Sequence, residues 1–138
     1  MKKIIDVTWQ DNMKFETEID GHKLILDSAP DVGGNDEGPR PKALMMVAIA
    51  GCTGMDVVSI LKKMKVDLTY FNLRVEGDLR EEHPKKFEAM KVIYEFKGNN
   101  IEFEKLEKAV NLSVDKYCGV NANFKDAMKM SYEIKILS

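Results

Sequence analysis

Apolar and polar residues alternate through the first 27 residues, and this alternation predicts three short strands in a meander. In the segment KFETEI, Phe15, Thr17 and Ile19 share one side and charged residues share the other, which is the period of a half-exposed antiparallel strand. KIIDVTW before it and HKLILD after it continue the pattern, and Asp20-Gly21 is a typical hairpin turn. We therefore expect the side that carries Phe15 and Ile19 to face a core.

A long apolar segment over residues 41–64 predicts a helix. Residues 28–40 form a loop rich in Gly, Pro, Asp and Asn, and Pro41 then suits the first helical turn. The first half of the helix is apolar on every side, so its burial requires more surface than one small domain supplies. The uncharged stretch, residues 43–55, is shorter than the roughly 20 residues that cross a bilayer. We expect a buried helix covered by a second subunit, and no membrane span.

The next residues predict a β-hairpin. Residues 67–80 alternate with Phe71, Leu73 and Val75 inward, and a polar turn leads to a return strand at residues 87–97.

The last third of the chain predicts two helices and a strand. Apolar residues recur every three or four positions through residues 103–117, the pattern of an amphipathic helix. A shorter helix at residues 120–128 and a strand at residues 131–137 follow. The element order βββ-α-ββ-α-α-β indicates an α+β fold, and the length fits a single domain over residues 1–138.

Charge is nearly balanced, since 21 Lys and Arg stand against 23 Asp and Glu to give a net charge of −2. Without a basic field, binding to nucleic acid or to an anionic membrane surface is not expected. The N-terminal segment MKKIIDVTWQ lacks the apolar run and cleavage site of a secretory signal, so we expect a cytoplasmic protein. Its two cysteines are then expected to be free, catalytic or redox-sensing rather than permanently bridged.

The two cysteines occupy different predicted surroundings. Cys52 lies about three turns into the long helix, where the helix dipole no longer lowers a thiol pKa, and Gly51 and Gly54 flank it. Helical glycines indicate close packing, or a backbone or substrate that approaches there. Cys118 lies beside Gly119 at the start of a helix, whose free N–H groups would favour a thiolate. On residue chemistry alone, an inert buried cysteine is the commoner alternative at Cys52.

No metal or organic cofactor is expected. A zinc site needs about four ligands at close spacing, whereas Cys52, Cys118, His22 and His83 are isolated from one another along the chain. Both histidines lie next to turns and are predicted to be solvated. The sequence contains no glycine-rich phosphate-binding motif, so nucleotide binding is not expected either.

Two segments of the sequence resemble the cysteine motifs of the OsmC/Ohr family: GPRPKALMMVAIAGCTGMDVVSIL at residues 38–61 and KYCGV at residues 116–120. The resemblance implies an intertwined homodimer with two buried central helices and active sites at the subunit interface. It also implies a thiol peroxidase of the oxidative stress response. In such an enzyme Cys52 attacks an organic hydroperoxide, Cys118 resolves the sulfenic acid as a disulfide, and a dithiol reductant regenerates both thiols.

The sequence departs from that family pattern near the expected site. Family members with hydroperoxide reductase activity carry a glutamate soon after the second proline and an arginine in the N-terminal strands. This chain has Lys42 after that proline, no arginine before Arg40, and Gly119 where many members carry proline. Glu37, Arg40, Lys42 and Lys14 are the candidates to supply the supporting charges. Two alternatives stay open: a noncatalytic protein that binds a small apolar or thiol-bearing ligand, and a cysteine sensor whose oxidation changes the dimer.

Overall fold

The computed structural model describes residues 1–138, and the chain divides into two compact units. The first, Met1–Met45, holds one three-stranded sheet, and the second, Met46–Ser138, holds the other. The prediction of one domain over residues 1–138 stays a prediction.

The first unit contains the predicted meander. β1 (Val7–Asp11), β2 (Lys14–Ile19) and β3 (His22–Leu26) pair antiparallel in that order. Asp20 and Gly21 adopt left-handed backbone angles, with φ of 50° and 81°, in the tight turn between β2 and β3. β1 begins later than the KIIDVTW alternation predicts, because its ladder with β2 starts only at Val7.

The face of this first sheet that carries Phe15 and Ile19 is more exposed than the sequence predicts. Phe15 and Ile19 of β2 are 38% and 39% exposed, and Trp9, the cross-strand neighbour of Phe15, is 61% exposed. The expectation that this face packs against a core is therefore wrong for the single chain. Alternation shows which side chains share a face, but it does not show what covers that face.

The remaining elements complete the α+β fold. They are α1 (Pro41–Lys63), β4 (Leu68–Leu79), β5 (Phe87–Gly98), α2 (Phe103–Leu112), α3 (Gly119–Ala127) and β6 (Lys129–Ile136). β4 and β5 form the predicted antiparallel hairpin, and β6 pairs in parallel with the other edge of β5. A parallel neighbour requires a crossover connection, which α2 and α3 supply. The order βββ-α-ββ-α-α-β is confirmed.

The core of the second unit is built by α1, α2 and β5. Its fully buried apolar side chains include Ile49, Val57, Leu61, Val92, Tyr94, Phe96 and Leu106. β4 is less enclosed, since Phe71, Leu73 and Val75 are half-buried. The ring of Phe71 stacks on that of Phe96 with centroids 4.5 Å apart. The side of β4 that the alternation assigns to the interior therefore does pack on the core.

α1 buries one stripe of residues and exposes another. The buried stripe repeats every four positions and consists of Ile49, Thr53, Val57 and Leu61. On other sides of the helix Val47, Met55 and Val58 are 63%, 77% and 48% exposed. The prediction of burial on every side is therefore not met within one chain, because one small sheet covers only one face of a helix. By length and hydropathy alone α1 could cross a membrane, a test that core helices of soluble proteins also pass.

Candidate dithiol site

The two cysteine side chains meet in the second unit. Cys52 is half-buried on α1, and Cys118 is buried immediately before α3. Both are free thiols, and a hydrogen bond joins the Cys118 thiol to Cys52. The fold therefore brings together two sulfur atoms that lie far apart along the chain.

A wide helical turn presents Cys118. The amphipathic pattern predicts one helix over residues 103–117, but α2 ends at Leu112 and a π-helical turn occupies Ser113–Tyr117. The backbone N–H of Cys118 then donates to the carbonyl of Ser113 at 2.7 Å. Single π-helical turns of this kind occur frequently at functional sites.

Cys118 also caps α3. The helix begins at Gly119, and the backbone N–H of Asn121 donates to the Sγ of Cys118 at 3.4 Å. This geometry is the one expected to favour a thiolate, yet burial dominates and raises the pKa of Cys118 to about 11. The hydrogen bond with Cys52 also raises this pKa, so Cys118 stays protonated at neutral pH.

A series of hydrogen bonds connects α1, which carries Cys52, to the π-helical turn that precedes Cys118. The Ser113 hydroxyl donates to the Asp56 carboxylate at 2.8 Å, Thr53 and Ser113 hydroxyls are 2.7 Å apart, and Thr53 and Tyr94 hydroxyls are 2.8 Å apart. We name Tyr94, Thr53, Ser113 and Asp56 the hydroxyl–carboxylate chain. It joins β5, α1 and the π-helical turn, and burial raises the pKa of the Tyr94 hydroxyl.

A second polar contact fixes the start of α3. The buried amide of Asn121 donates to the carbonyl of Val114 at 3.1 Å and accepts from the hydroxyl of Tyr132 on β6. Burial raises the pKa of Tyr132 to about 12, so this hydroxyl stays a donor at neutral pH. Asn121, whose N–H is capped by Cys118, is thus itself held from both sides.

The glycines beside Cys52 differ in what they face. A Cβ at Gly54 would lie 3.0 Å from Cδ1 of Leu73, whereas a Cβ at Gly51 would meet nothing within 4 Å. Gly54 therefore serves close packing of α1 on β4, the simpler of the two interpretations. Gly51 borders an open apolar groove of about 580 Å³, which Met55, Val58 and Phe71 also line.

The predicted supporting charges all lie in the first unit. Lys14 donates to Glu37 at 2.9 Å, and this hydrogen bond raises the pKa of Lys14. Arg40 pairs with Asp36 at 2.5 Å. Lys42 is exposed on the first turn of α1. Any action of these four groups on the dithiol stays a prediction.

The sequence pattern does not identify the polar residues that join α1 to the π-helical turn. Thr53 and Asp56 lie three residues apart in an otherwise apolar stretch of α1, and Ser113 lies on the apolar side of the amphipathic helix. Polar side chains at positions that are buried by pattern require partners, so Thr53 and Ser113 do indicate buried hydrogen bonds. The identity of those partners depends on the tertiary fold.

Metal-binding side chains do not cluster in this structure. No three His, Cys, Asp or Glu residues are arranged to hold a metal ion. His22 and His83 are both exposed, and His22 is the first residue of β3.

Comparison with known proteins gives a family match over most of the chain. The family model described as OsmC-like protein matches residues 33–133. Protein YhfA of Escherichia coli strain K12 is 27% identical over 133 residues, which cover 96% of this chain and 96% of that protein.

Two solved structures illustrate the likeness of fold. A hypothetical protein from Aquifex aeolicus VF5 superposes with a TM-score of 0.82 at 29% identity, covering 100% of this chain and 99% of its own. An organic hydroperoxide resistance protein OsmC from Legionella pneumophila superposes with a TM-score of 0.67 at 18% identity, covering 98% and 97%.

Proposed function

This chain belongs to the OsmC-like protein family, and on that basis we propose that it is a thiol-dependent peroxidase that reduces small organic hydroperoxides. The observation that carries the proposal is the hydrogen bond between the half-buried thiol of Cys52 and the buried thiol of Cys118. A thiol that can reach solvent beside one that cannot is the arrangement that a peroxidatic and a resolving cysteine require.

The proposed reaction has two chemical steps and a regeneration step. The Cys52 sulfur attacks the terminal oxygen of the hydroperoxide, the O–O bond breaks, and the alcohol leaves with the proton of the Cys52 thiol. The Cys118 sulfur then attacks the Cys52 sulfenic acid, the S–O bond breaks, and water leaves with the Cys118 proton. A dithiol reductant returns both cysteines to thiols and is itself oxidised to a disulfide.

The different surroundings of the two sulfurs support the assignment of roles. Cys118 is 3% exposed and its pKa is raised to about 11, so it is a poor first nucleophile at neutral pH. Cys52 is more exposed than Cys118 and is hydrogen-bonded with it. Cys52 is therefore assigned the attack on peroxide, and Cys118 the resolution of the sulfenic acid.

We also propose that the working form is a cytoplasmic homodimer of single-domain subunits. The exposed apolar residues on α1, including Val47 and Met55, and those on the first sheet, including Trp9, support a dimer. Apolar surface of this extent is typical of a protein interface. The organic hydroperoxide resistance protein of Legionella pneumophila shares the fold and supports a small hydroperoxide as substrate.

Peroxide consumption by purified variants tests the enzyme. Wild-type protein with cumene hydroperoxide and dithiothreitol is expected to turn over repeatedly, and Cys52→Ser is expected to fall to background. Without dithiothreitol, Cys118→Ser should consume about one peroxide per subunit and then stop at the sulfenic acid. Consumption by Cys52→Ser at the wild-type rate would show that the proposal is wrong.

A noncatalytic binding protein is the second candidate, and the apolar groove beside Gly51 favours it. In that function the cysteines report oxidation or hold a thiol-bearing ligand, and the protein consumes no peroxide. Native mass spectrometry of protein purified from cells, together with the peroxide assay, separates the two functions. A retained small molecule without turnover supports binding, whereas turnover without a retained molecule supports the peroxidase.

A further inference from the structure

The hydroxyl–carboxylate chain has a single direction. Ser113 donates its only hydroxyl proton to Asp56, so its oxygen must accept the proton of Thr53. Because the single hydroxyl proton of Thr53 is donated to Ser113, the hydroxyl of Tyr94 must donate to the Thr53 oxygen. Every proton in the chain therefore points towards the carboxylate of Asp56.

Because these hydroxyls are buried, water cannot take over a hydrogen bond that is lost from the hydroxyl–carboxylate chain. Thr53, Ser113 and Tyr94 are each at most 1% exposed, so water cannot substitute for a missing partner. All buried side-chain nitrogen and oxygen atoms of the protein have a hydrogen-bond partner. Loss of one link leaves a buried hydroxyl unpaired, and the π-helical turn then has less to hold it against α1.

Each cysteine is adjacent to a residue of the hydroxyl–carboxylate chain, either in sequence or through a backbone hydrogen bond. Thr53 follows Cys52 directly, and Asp56 lies one helical turn beyond Cys52 on the same side of α1. Ser113 begins the π-helical turn, and its carbonyl accepts the N–H of Cys118 at 2.7 Å. The two bonds made by the Ser113 side chain therefore connect the backbone that carries one thiol to the helix that carries the other.

We infer that Asp56 and Ser113 are positioning residues that hold the π-helical turn against α1 and thereby favour formation of the Cys52–Cys118 disulfide. The inference deepens the proposed function, because it assigns the residues that support the resolution step. Disulfide formation must bring the sulfurs from hydrogen-bond contact to a bond of about 2.05 Å. A turn fixed by buried hydrogen bonds loses little further freedom in that step, which raises the effective concentration of one thiol towards the other.

The equilibrium between dithiol and disulfide measures this effect without any peroxide. The protein is incubated with mixtures of reduced and oxidised glutathione, in which one glutathione disulfide becomes two glutathione thiols as the protein disulfide forms. Asp56→Ala and Ser113→Ala are each expected to lower the equilibrium constant for disulfide formation by about tenfold or more. Asp56→Asn keeps an acceptor oxygen for Ser113 and is expected to stay within about threefold of wild type.

Val57→Ala is the matched control, since Val57 is fully buried on the same helix but bears no polar group. It destabilises the core and is expected to leave the disulfide equilibrium within about twofold of wild type. Asp56 is only partly buried, so Asp56→Ala is expected to fold even if Ser113→Ala does not. Circular dichroism checks the folding of each variant.

The inference is overturned if folded Asp56→Ala matches wild type within about twofold, or if Val57→Ala shifts the equilibrium as far as Asp56→Ala does. Failure of the peroxidase proposal gives a different result. Wild-type protein would then leave cumene hydroperoxide unconsumed, while the disulfide equilibrium still depended on Asp56.

Discussion

The backbone N–H of Asn121 donates to the Sγ of Cys118 at 3.4 Å, so a sulfur atom caps the first turn of α3. A helix N-terminus normally favours a thiolate, but here burial outweighs it and the pKa of Cys118 rises to about 11. The cap is therefore occupied by a protonated thiol that is hydrogen-bonded with Cys52. This asymmetry leads directly to testable differences between the two cysteines.

The order of alkylation should be Cys52 first and Cys118 second. At about pH 8, a pKa of about 11 leaves only about a thousandth of Cys118 as thiolate. We expect iodoacetamide to label Cys52 at least about tenfold faster in the folded protein. Peptide mass spectrometry after timed quenching gives both rates. Protein unfolded in urea is the control and should label both cysteines at similar rates; faster labelling of folded Cys118 would contradict the assignment of roles.

Alkaline pH should destabilise the protein through Cys118. The ordinary pKa of the thiol is 9.0, and the folded state raises it to about 11. Between these values the unfolded chain has released a proton that the folded chain still holds, so the free energy of unfolding falls as pH rises. Urea midpoints measured from about pH 8 to about pH 10 should therefore decline in wild type.

Cys118→Ser serves as the control for that decline, because a serine hydroxyl does not titrate in this range. Its urea midpoint should change less over the same interval. The decline that remains above about pH 10 belongs to the other groups whose pKa the fold raises, which include Tyr132, at about 12, and the amines of Lys14 and Lys91. Equal slopes for wild type and Cys118→Ser would exclude Cys118 as the source.

Asn121→Ala should destabilise the fold by about 1–3 kcal/mol, because it leaves the Val114 carbonyl and the Tyr132 hydroxyl without their partner. Tyr132→Phe removes only one of these contacts, so a smaller loss of about 1 kcal/mol is expected. Urea denaturation at neutral pH measures both. Asn123→Ala, an exposed position on α3, is the matched control and should stay within about 0.5 kcal/mol of wild type.

Met55→Glu should disrupt the proposed homodimer. Met55 is 77% exposed on α1, and a charge buried there by a partner subunit would cost several kcal/mol. Light scattering should give twice the 15.7 kDa chain mass for wild type and the mass of one chain for the variant. Glu104→Lys changes a charge at an exposed position of α2 and should leave the dimer intact. A wild-type protein of one-chain mass would exclude this dimer.

Local patterns predicted the elements well because each depends on near neighbours in the chain. The turn at Asp20 and Gly21 and the start of α1 at Pro41 both follow from residue chemistry. The apolar pattern places the end of α2 five residues late, at Tyr117, because apolar residues continue to recur every three or four positions through the π-helical turn. What covers each apolar face was beyond the reach of periodicity alone.

Of the candidate site, only the two cysteines can be predicted from the sequence. Cys52 and Cys118 stand out through their motifs, but the bonds among Thr53, Ser113 and Asp56 join residues that are distant along the chain. No spacing rule links such positions, since the contact exists only after α1 and the π-helical turn have packed. The raised pKa of Cys118 has the same origin, because burial is a property of the whole fold.

The π-helical turn at Ser113–Tyr117 holds one residue more than an α-helical turn, because the N–H of Cys118 donates five residues back, to Ser113. Five residues wound in this way turn the backbone about as far as four α-helical residues do. A chain shorter by one residue in this interval would close the same turn with an ordinary α-helical bond. Related sequences can therefore differ in length by one position here and still present their second cysteine from the same side of the helix.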